Sequence, residues 1–356
     1  MGNRWKVPSV VAVGLIVSLL GCPAPEAPKQ KVEPSLQAVS GEAFGTTWSA
    51  KWRSDSTNSA DTLSRIQSVL DEVDVHMSKY RPDSEISRAR REGGPVPVSH
   101  DTAMVVDAAL DLSEVSGGAF DPTVEPLMSL WGFGGKRRDV LPSEAEIQEV
   151  VSRVGWRKVK LERNRTGALL DTGGTSLDLG AIAKGHGVDR VHNMLTAQGY
   201  SSVFVEVGGE VRVSGPASEG RPKWNVGVSL PDKNAQPDDY ALVVSLTNGA
   251  VATSGNYRSN YDLGDESLVH TMDPRVGRPV VTQVASATVI APNCRTADGL
   301  ATTMMVLPAE QALELAESMP DVEAALMLFA PEGNFKLVYT DGMAGHVQVV
   351  SDRVRR

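Results

Sequence analysis

Two runs of alternating apolar residues, Val203-Phe-Val-Glu-Val207 and Glu210-Val-Arg-Val-Ser214, are separated only by Gly208-Gly209. A strand that resumes after two glycines has to return antiparallel to itself, because a parallel return needs a crossover of about a dozen residues or more. The same hairpin signal, Asn248-Gly249, follows the run 241–246, and further strand-like runs lie at 158–162, 224–230 and 284–291. Helical spacing predicts a helix carrying Leu63, Ile66, Leu70, Val73 and Met77 on one face, and a second with Met104, Ala108, Leu112 and Val115, closed by Gly117-Gly118. A further helical stretch is predicted near 296–318. Strands and helices do not alternate as in a doubly wound fold, so the pattern predicts an α+β protein, mainly antiparallel sheet with flanking helices. With 356 residues, 41% of them hydrophobic, the chain can bury a full core as one large domain or two closely joined lobes.

The first 22 residues read as an address. Arg4 and Lys6 precede the apolar run Val10–Leu20, and Gly21-Cys22 closes it as a bacterial lipoprotein signal would. Cleavage before Cys22 would leave its thiol to carry diacylglycerol and its amino group a further acyl chain, together a firm membrane anchor. The other readings are an ordinary secretory signal with a chance cysteine and an uncleaved span, for which the apolar run Val10–Leu20 is short. Residues 23–40 carry four prolines and no periodicity, which predicts an extended tether, with the folded body, 41–356, starting near Gly41. Cys294 is then the only other cysteine, so the mature chain has no intramolecular disulfide to form. A net charge of −9 without any basic, aromatic-interleaved run argues against a nucleic-acid partner.

Chemistry-bearing residues collect at a few glycine-marked places. In Asp178-Leu-Gly-Ala-Ile-Ala-Lys184-Gly185, residues 176–179 alternate like a strand and Gly180 permits a bend. Ile182, Val191, Met194 and Leu195 then recur at helical spacing, which puts Lys184 in the first turn. Unpaired N–H groups and the helix dipole there favour an anion, to which an ammonium adds a point charge. Tyr80, in the loop after the first helix, can stack on a flat ring and offer a hydroxyl. Asp121, held extended before Pro122, can accept from a ligand or cap the segment 122–131. His270 ends an apolar pair, Leu268-Val269, and meets a turn, a position open to a general base. Asp298 and Thr302, four residues apart on one helical face, can present two hard oxygens to one cation, and the absence of a His/Cys set makes magnesium the expected ion.

Taken in order, Met77-Ser78-x-Tyr80, Gly118-Ala119-Phe120-Asp121-Pro122-Thr123, Asp178 to Gly185, Thr253-Ser254-Gly255, His270-x-x-Asp273-Pro274-x-x-Gly277 and Asp298-x-x-x-Thr302 resemble the motif series of the ApbE family over about residues 41–340. Members of that family are FAD:protein FMN transferases with a T-fold-like architecture. Many are tethered at the periplasmic face of the inner membrane, which agrees with the lipoprotein signal.

The resemblance implies a magnesium-dependent reaction in which FAD is split at its pyrophosphate, FMN is joined to a Thr or Ser hydroxyl of a target protein, and AMP leaves. By matched position it implies FAD contacts from Phe44, Tyr80, Ala119, Phe120, Asp121, Asp178, Lys184 and Met272. Magnesium would fall to Asp298, Thr302 and the carbonyl of Ala181, with His270 as the base. The implied acceptors are flavoproteins with an Asp-Gly-x-Thr-type motif, such as redox-pump or periplasmic electron-transfer subunits; this chain lacks that motif. Two departures stand out: Val276 replaces a common threonine, and Glu210 stands where Asp is frequent. Two other functions remain open at this point, a magnesium-dependent FAD pyrophosphatase and a non-catalytic periplasmic flavin-binding lipoprotein.

Overall fold

The Gly208-Gly209 hairpin lies within a sheet of nine strands whose order in space follows the order in the chain: Ser35–Ala43, Thr46–Ser54, Val203–Val207, Glu210–Ser214, Gly249–Gly255, Val284–Ala291, Glu323–Phe329, Phe335–Tyr339 and Val354–Arg355. Every neighbouring pair is antiparallel except the last. Both hairpin glycines have positive φ, 62° and 106°, which only glycine adopts freely. This computed structural model describes residues 34–55, 59–133, 135, 137–164, 167–236, 238–257, 260–263 and 266–356. The signal segment 1–22 with Cys22, and residues 23–33 of the tether, lie outside them, as does Arg258.

Both faces of the sheet are covered, which is why the Val284–Ala291 strand is buried at every position and reads as a near-continuous apolar run. One face, including Trp48, Trp52, Val205, Ala252 and Val289, packs against the helices Ser59–Met77, His100–Val115, Gly180–Ala197 and Cys294–Val306. The other, including Val211, Val251, Ala325 and Met327, meets a three-stranded sheet containing Trp224–Ser229 and Tyr240–Leu246. A smaller core joins Leu127, Trp131 and Ile147 to Tyr261, Leu268 and Met272. There the Trp131 indole N–H donates to the Gly277 carbonyl at 2.8 Å, which secures the loop after His270. The α+β, mainly antiparallel expectation holds.

Several local expectations are corrected. The body begins before Gly41, because Ser35–Ala43 is an edge strand paired along its whole length with Thr46–Ser54. Its inward positions, Gln37, Val39, Gly41 and Ala43, carry little apolar signal, so the backbone ladder rather than side-chain patterning holds it. Residues 176–179 bury Leu177 and Leu179 in alternation but join no strand. Instead the Asp178 N–H donates to the Pro122 carbonyl at 2.7 Å. The second helix turns inward Val105, Val106, Ala109 and Leu112, whereas Val115 is exposed. Apolar residues on several sides of that helix made its face ambiguous. The stretch 296–318 is two helices, Cys294–Val306 and Ala309–Glu317, broken at Pro308, which cannot donate within a helix.

Candidate active site

The site is built where two helices touch. Gly185 lies so close to the start of the Cys294–Val306 helix that a Cβ there would fall 2.4 Å from the Cys294 carbonyl oxygen. Asp189, one turn further along, ties the pair together. Its carboxylate accepts from the Cys294 and Arg295 N–H groups at 2.9 and 3.0 Å and from Arg212 at 2.7 Å. A carboxylate is well placed at a helix N-terminus, where amides lack helical partners. Asn293 caps the same end by accepting from the Thr296 N–H at 2.9 Å. Gly185→Ala should therefore destabilise the protein by about 2 kcal/mol or more, since backbone on both sides has to separate. Denaturant unfolding reads this directly, and an unchanged midpoint would refute the close-approach role.

This anchoring sets Asp298 in the second turn of its helix, not at the opening expected from the sequence, because the helix starts at Cys294. Asp298 is buried, and its Oδ2 accepts from the Gly185 N–H at 2.9 Å. That amide would ordinarily close a helical bond onto the Ala181 carbonyl, so Asp298 competes with this carbonyl for it. Lys184, one residue past the first turn, folds back: its Nζ donates to the Gly180 carbonyl at 3.1 Å and lies 3.6 Å from Asp298 Oδ1 and 3.5 Å from Glu210 Oε1. Thr302, four residues beyond Asp298, exchanges a hydrogen bond with Ser254 at 3.2 Å.

Burial and neighbouring charges together set the protonation of this cluster. Burial pushes the Glu210 carboxyl up to about 8, an effect the nearby Lys184 charge only partly offsets. Burial likewise raises Asp298 against the pull of Lys184 and the Gly185 amide. Burial alone would lower Lys184, but Asp298 and Glu210 outweigh it and hold the ammonium charged. Glu210 Oε2 is buried and has no hydrogen-bond partner among the described residues. Two carboxyl groups, a hydroxyl and a helix carbonyl are hard oxygen donors, and the orphaned Glu210 Oε2 marks a missing partner, so the residues fit a divalent cation of magnesium type.

A second group lies around Asp178. Its Oδ1 accepts from the Gly180 N–H at 2.9 Å and its Oδ2 pairs with Lys79 Nζ at 2.6 Å. Lys79 also lies 5.2 Å from the centre of the Tyr80 ring, and Tyr80 is 79% exposed, an aromatic face open to a planar ligand. Lys79, Tyr80, Arg90, Glu125, Ser176 and Leu177 line a small cavity of about 90 Å³. Asp121 is engaged internally: Oδ1 accepts from the Thr123 N–H and hydroxyl at 2.8 and 2.6 Å, and Oδ2 from the Trp156 N–H at 3.0 Å. Burial raises its pKa. The capping role left open by the sequence is not what Asp121 does: the helix Glu125–Leu130 has Val124 at its N-cap without a side-chain cap, and Asp121 instead closes a turn onto Thr123. Ala119 and Phe120 are buried beside it. Phe44 occupies the left-handed region at a hairpin turn (φ 55°), and its ring crowds Gly187, where a Cβ would come within 2.9 Å. Met272 is buried in the small core.

His270 follows the strand Glu266–Val269 and precedes Met272–Asp273, half-buried at the bend between them. The neighbouring Thr271 hydroxyl donates to Asn256 Oδ1 at 2.6 Å, and Asn256 lies two residues from Ser254. One bond thus ties the His270 bend to the strand whose Ser254 meets Thr302. Asp273 is engaged by Arg275, whose Nε and Nη2 each donate to it at 2.8 Å. Sequence reasoning missed Lys79 as the partner of Asp178 and Glu210 as a wall of the cluster. The signals available for Glu210 were its place right after Gly208-Gly209 at the head of the strand Glu210–Ser214 and its standing where the resembled family often has Asp.

Proteins of known sequence and structure resemble this chain over most of its length. Residues 44–326 match the profile of the ApbE family. The FAD:protein FMN transferase of Haemophilus influenzae is 35% identical over 87% of this chain and 90% of its own length. That of Vibrio cholerae is 35% identical over 92% and 95%. Among solved structures, the flavin transferase ApbE from Vibrio cholerae superposes with a TM-score of 0.77 at 32% identity, covering 88% of this chain and 99% of its own. The apo flavinyl transferase ApbE of Pseudomonas stutzeri gives 0.76 at 29% identity, covering 88% and 97%.

Proposed function

Because the chain belongs to the ApbE family, we propose that it is an FAD:protein FMN transferase that moves FMN from FAD onto a Thr or Ser hydroxyl of a target protein and releases AMP. The observation that carries this reading is the cluster of buried Asp298 and Glu210 with half-buried Lys184 at the start of the Gly180–Ala197 helix, beside the Asp178–Lys79 pair and the exposed Tyr80 ring. In the proposed reaction the acceptor oxygen attacks the FMN phosphorus, the bond from that phosphorus to the bridging oxygen breaks, and AMP leaves with the electron pair. Asp298, Thr302 and the Ala181 carbonyl would hold magnesium, which supplies charge neutralisation at the pyrophosphate oxygens. Lys184 adds a positive charge at the helix start. His270 takes the proton of the attacking hydroxyl. Tyr80, with Lys79 beside its ring, offers a stacking face, and Phe44, Ala119, Phe120, Asp121, Asp178 and Met272 would contact FAD as the family resemblance implies.

Incubation with FAD, magnesium and an acceptor bearing an Asp-Gly-x-Thr-type motif tests the reading, with in-gel flavin fluorescence as the readout. A fluorescent acceptor band is expected. Free FMN and AMP with a dark acceptor would favour the pyrophosphatase, and intact FAD would favour a binding protein.

The natural acceptors, on this reading, are redox-pump or periplasmic electron-transfer subunits, met at the periplasmic face of the inner membrane to which acyl chains on Cys22 anchor the enzyme. Cys22→Ala should abolish incorporation of labelled palmitate into the protein. Persistent labelling of the variant would contradict lipidation at Cys22.

A further inference from the structure

Lys184 is held as an ion is held. Its Nζ is surrounded by the Gly180 carbonyl at 3.1 Å, Glu210 Oε1 at 3.5 Å and Asp298 Oδ1 at 3.6 Å. The two carboxylate distances exceed those of good hydrogen bonds, so charge rather than directed bonding fixes the ammonium there. Its Nζ faces two carboxyl groups, and Glu210 Oε2 stays buried without a hydrogen-bond partner among the described residues. A divalent cation would match both.

We propose that Lys184 and the divalent cation exchange on the Asp298 and Glu210 carboxylates: without the cation the ammonium holds the place, and cation binding releases it outward to the start of the Gly180–Ala197 helix. This rests on the magnesium reading of the same site and adds Glu210 to it. The chemistry of the side chain suits the exchange. A lysine ammonium is a compact point charge on a flexible four-carbon stem, and the stem pivots without moving the helix. Released, it stands by the start of the Gly180–Ala197 helix, where the helix dipole favours a phosphate. The exchange thereby couples the two charges needed at the pyrophosphate, since the lysine becomes available only once the cation is in place. It also gives a reason for Glu210: a second carboxylate is needed to hold the lysine inward, and the same carboxylate then faces the cation.

The test uses the full chain in detergent, without FAD, with Mn²⁺ as the probe. Mn²⁺ binding is followed by the loss of the free-ion EPR signal. Acylation of Lys184 by a water-soluble succinimidyl ester is followed by peptide mass spectrometry, with exposed Lys336 as the internal standard. Exchange predicts that Lys184 reacts slowly without Mn²⁺ and severalfold faster at saturation, while Lys336 is unchanged. Glu210→Gln should weaken Mn²⁺ binding and raise the reactivity of Lys184 in the absence of the ion. Mn²⁺ that binds while Lys184 reactivity stays constant would overturn the exchange and leave the cation site intact. A wild-type protein that binds no Mn²⁺ would overturn the cation site itself, and the exchange with it.

Discussion

Asp298→Ala should abolish FMN transfer while the protein still folds and takes up FAD. Asp298 is the carboxylate of the expected cation set, the Thr302 hydroxyl and Ala181 carbonyl are neutral, and burial holds the neighbouring Glu210 carboxyl well above the ordinary carboxylate range. Two neutral oxygens do not replace a carboxylate for a hard divalent ion. Loss of the ion's charge at the pyrophosphate is expected to cost about 4 kcal/mol or more of transition-state stabilisation, a rate loss of roughly a thousandfold. The substitution also frees the Gly185 N–H from its 2.9 Å bond, so Asp298→Asn, which keeps an oxygen at that position, is the companion variant. Asn should preserve the fold better and still fail in transfer. FAD affinity, by quenching of flavin fluorescence, is expected to fall far less than the rate. Normal turnover of Asp298→Ala at ordinary magnesium concentration would refute the metal assignment.

His270→Ala is expected to slow single-turnover transfer by about two to four orders of magnitude with little change in FAD affinity, the signature of a lost general base. The bend that carries His270 is secured independently, by the Thr271–Asn256 bond at 2.6 Å and by the small core beneath Leu268 and Met272, so the variant should keep its fold. Asp273, the nearest alternative base, already accepts from Arg275 through both carboxylate oxygens. A protonated imidazole has no lone pair to accept with, so wild-type transfer should also weaken in acid. A well-folded His270→Ala protein with near-normal rate would remove His270 from the mechanism.

Strong alternation in two strands and a mostly apolar run in a third made part of this fold legible in the sequence. The strands Val203–Val207, Glu210–Ser214 and Val284–Ala291 lie where their side-chain pattern puts them. Glycines with positive φ close the hairpin and the helix ending at Val115 as expected. The N-terminal hairpin was overlooked, although Trp48, Ala50 and Trp52 alternate inward after a turn at Gly45, because its outer strand has almost no apolar face. Asp298 and Thr302 were legible as a pair, since four-residue spacing is a local property of a helix. The convergence of Lys184, Glu210 and Asp298 was not, because it depends on three elements meeting at a glycine contact. Asp178 was legible as a helix-start carboxylate, and its partner Lys79, from another loop, was not.

The central claim is that a phosphorus–oxygen bond to the acceptor forms as AMP leaves. It is tested most directly by intact-mass spectrometry of the acceptor combined with quantitation of nucleotides after incubation with FAD and magnesium. The predicted result is one FMN added per acceptor, on a Thr or Ser, with one AMP released for each and no free FMN. Free FMN and AMP in equal amounts, with an acceptor of unchanged mass, would contradict it.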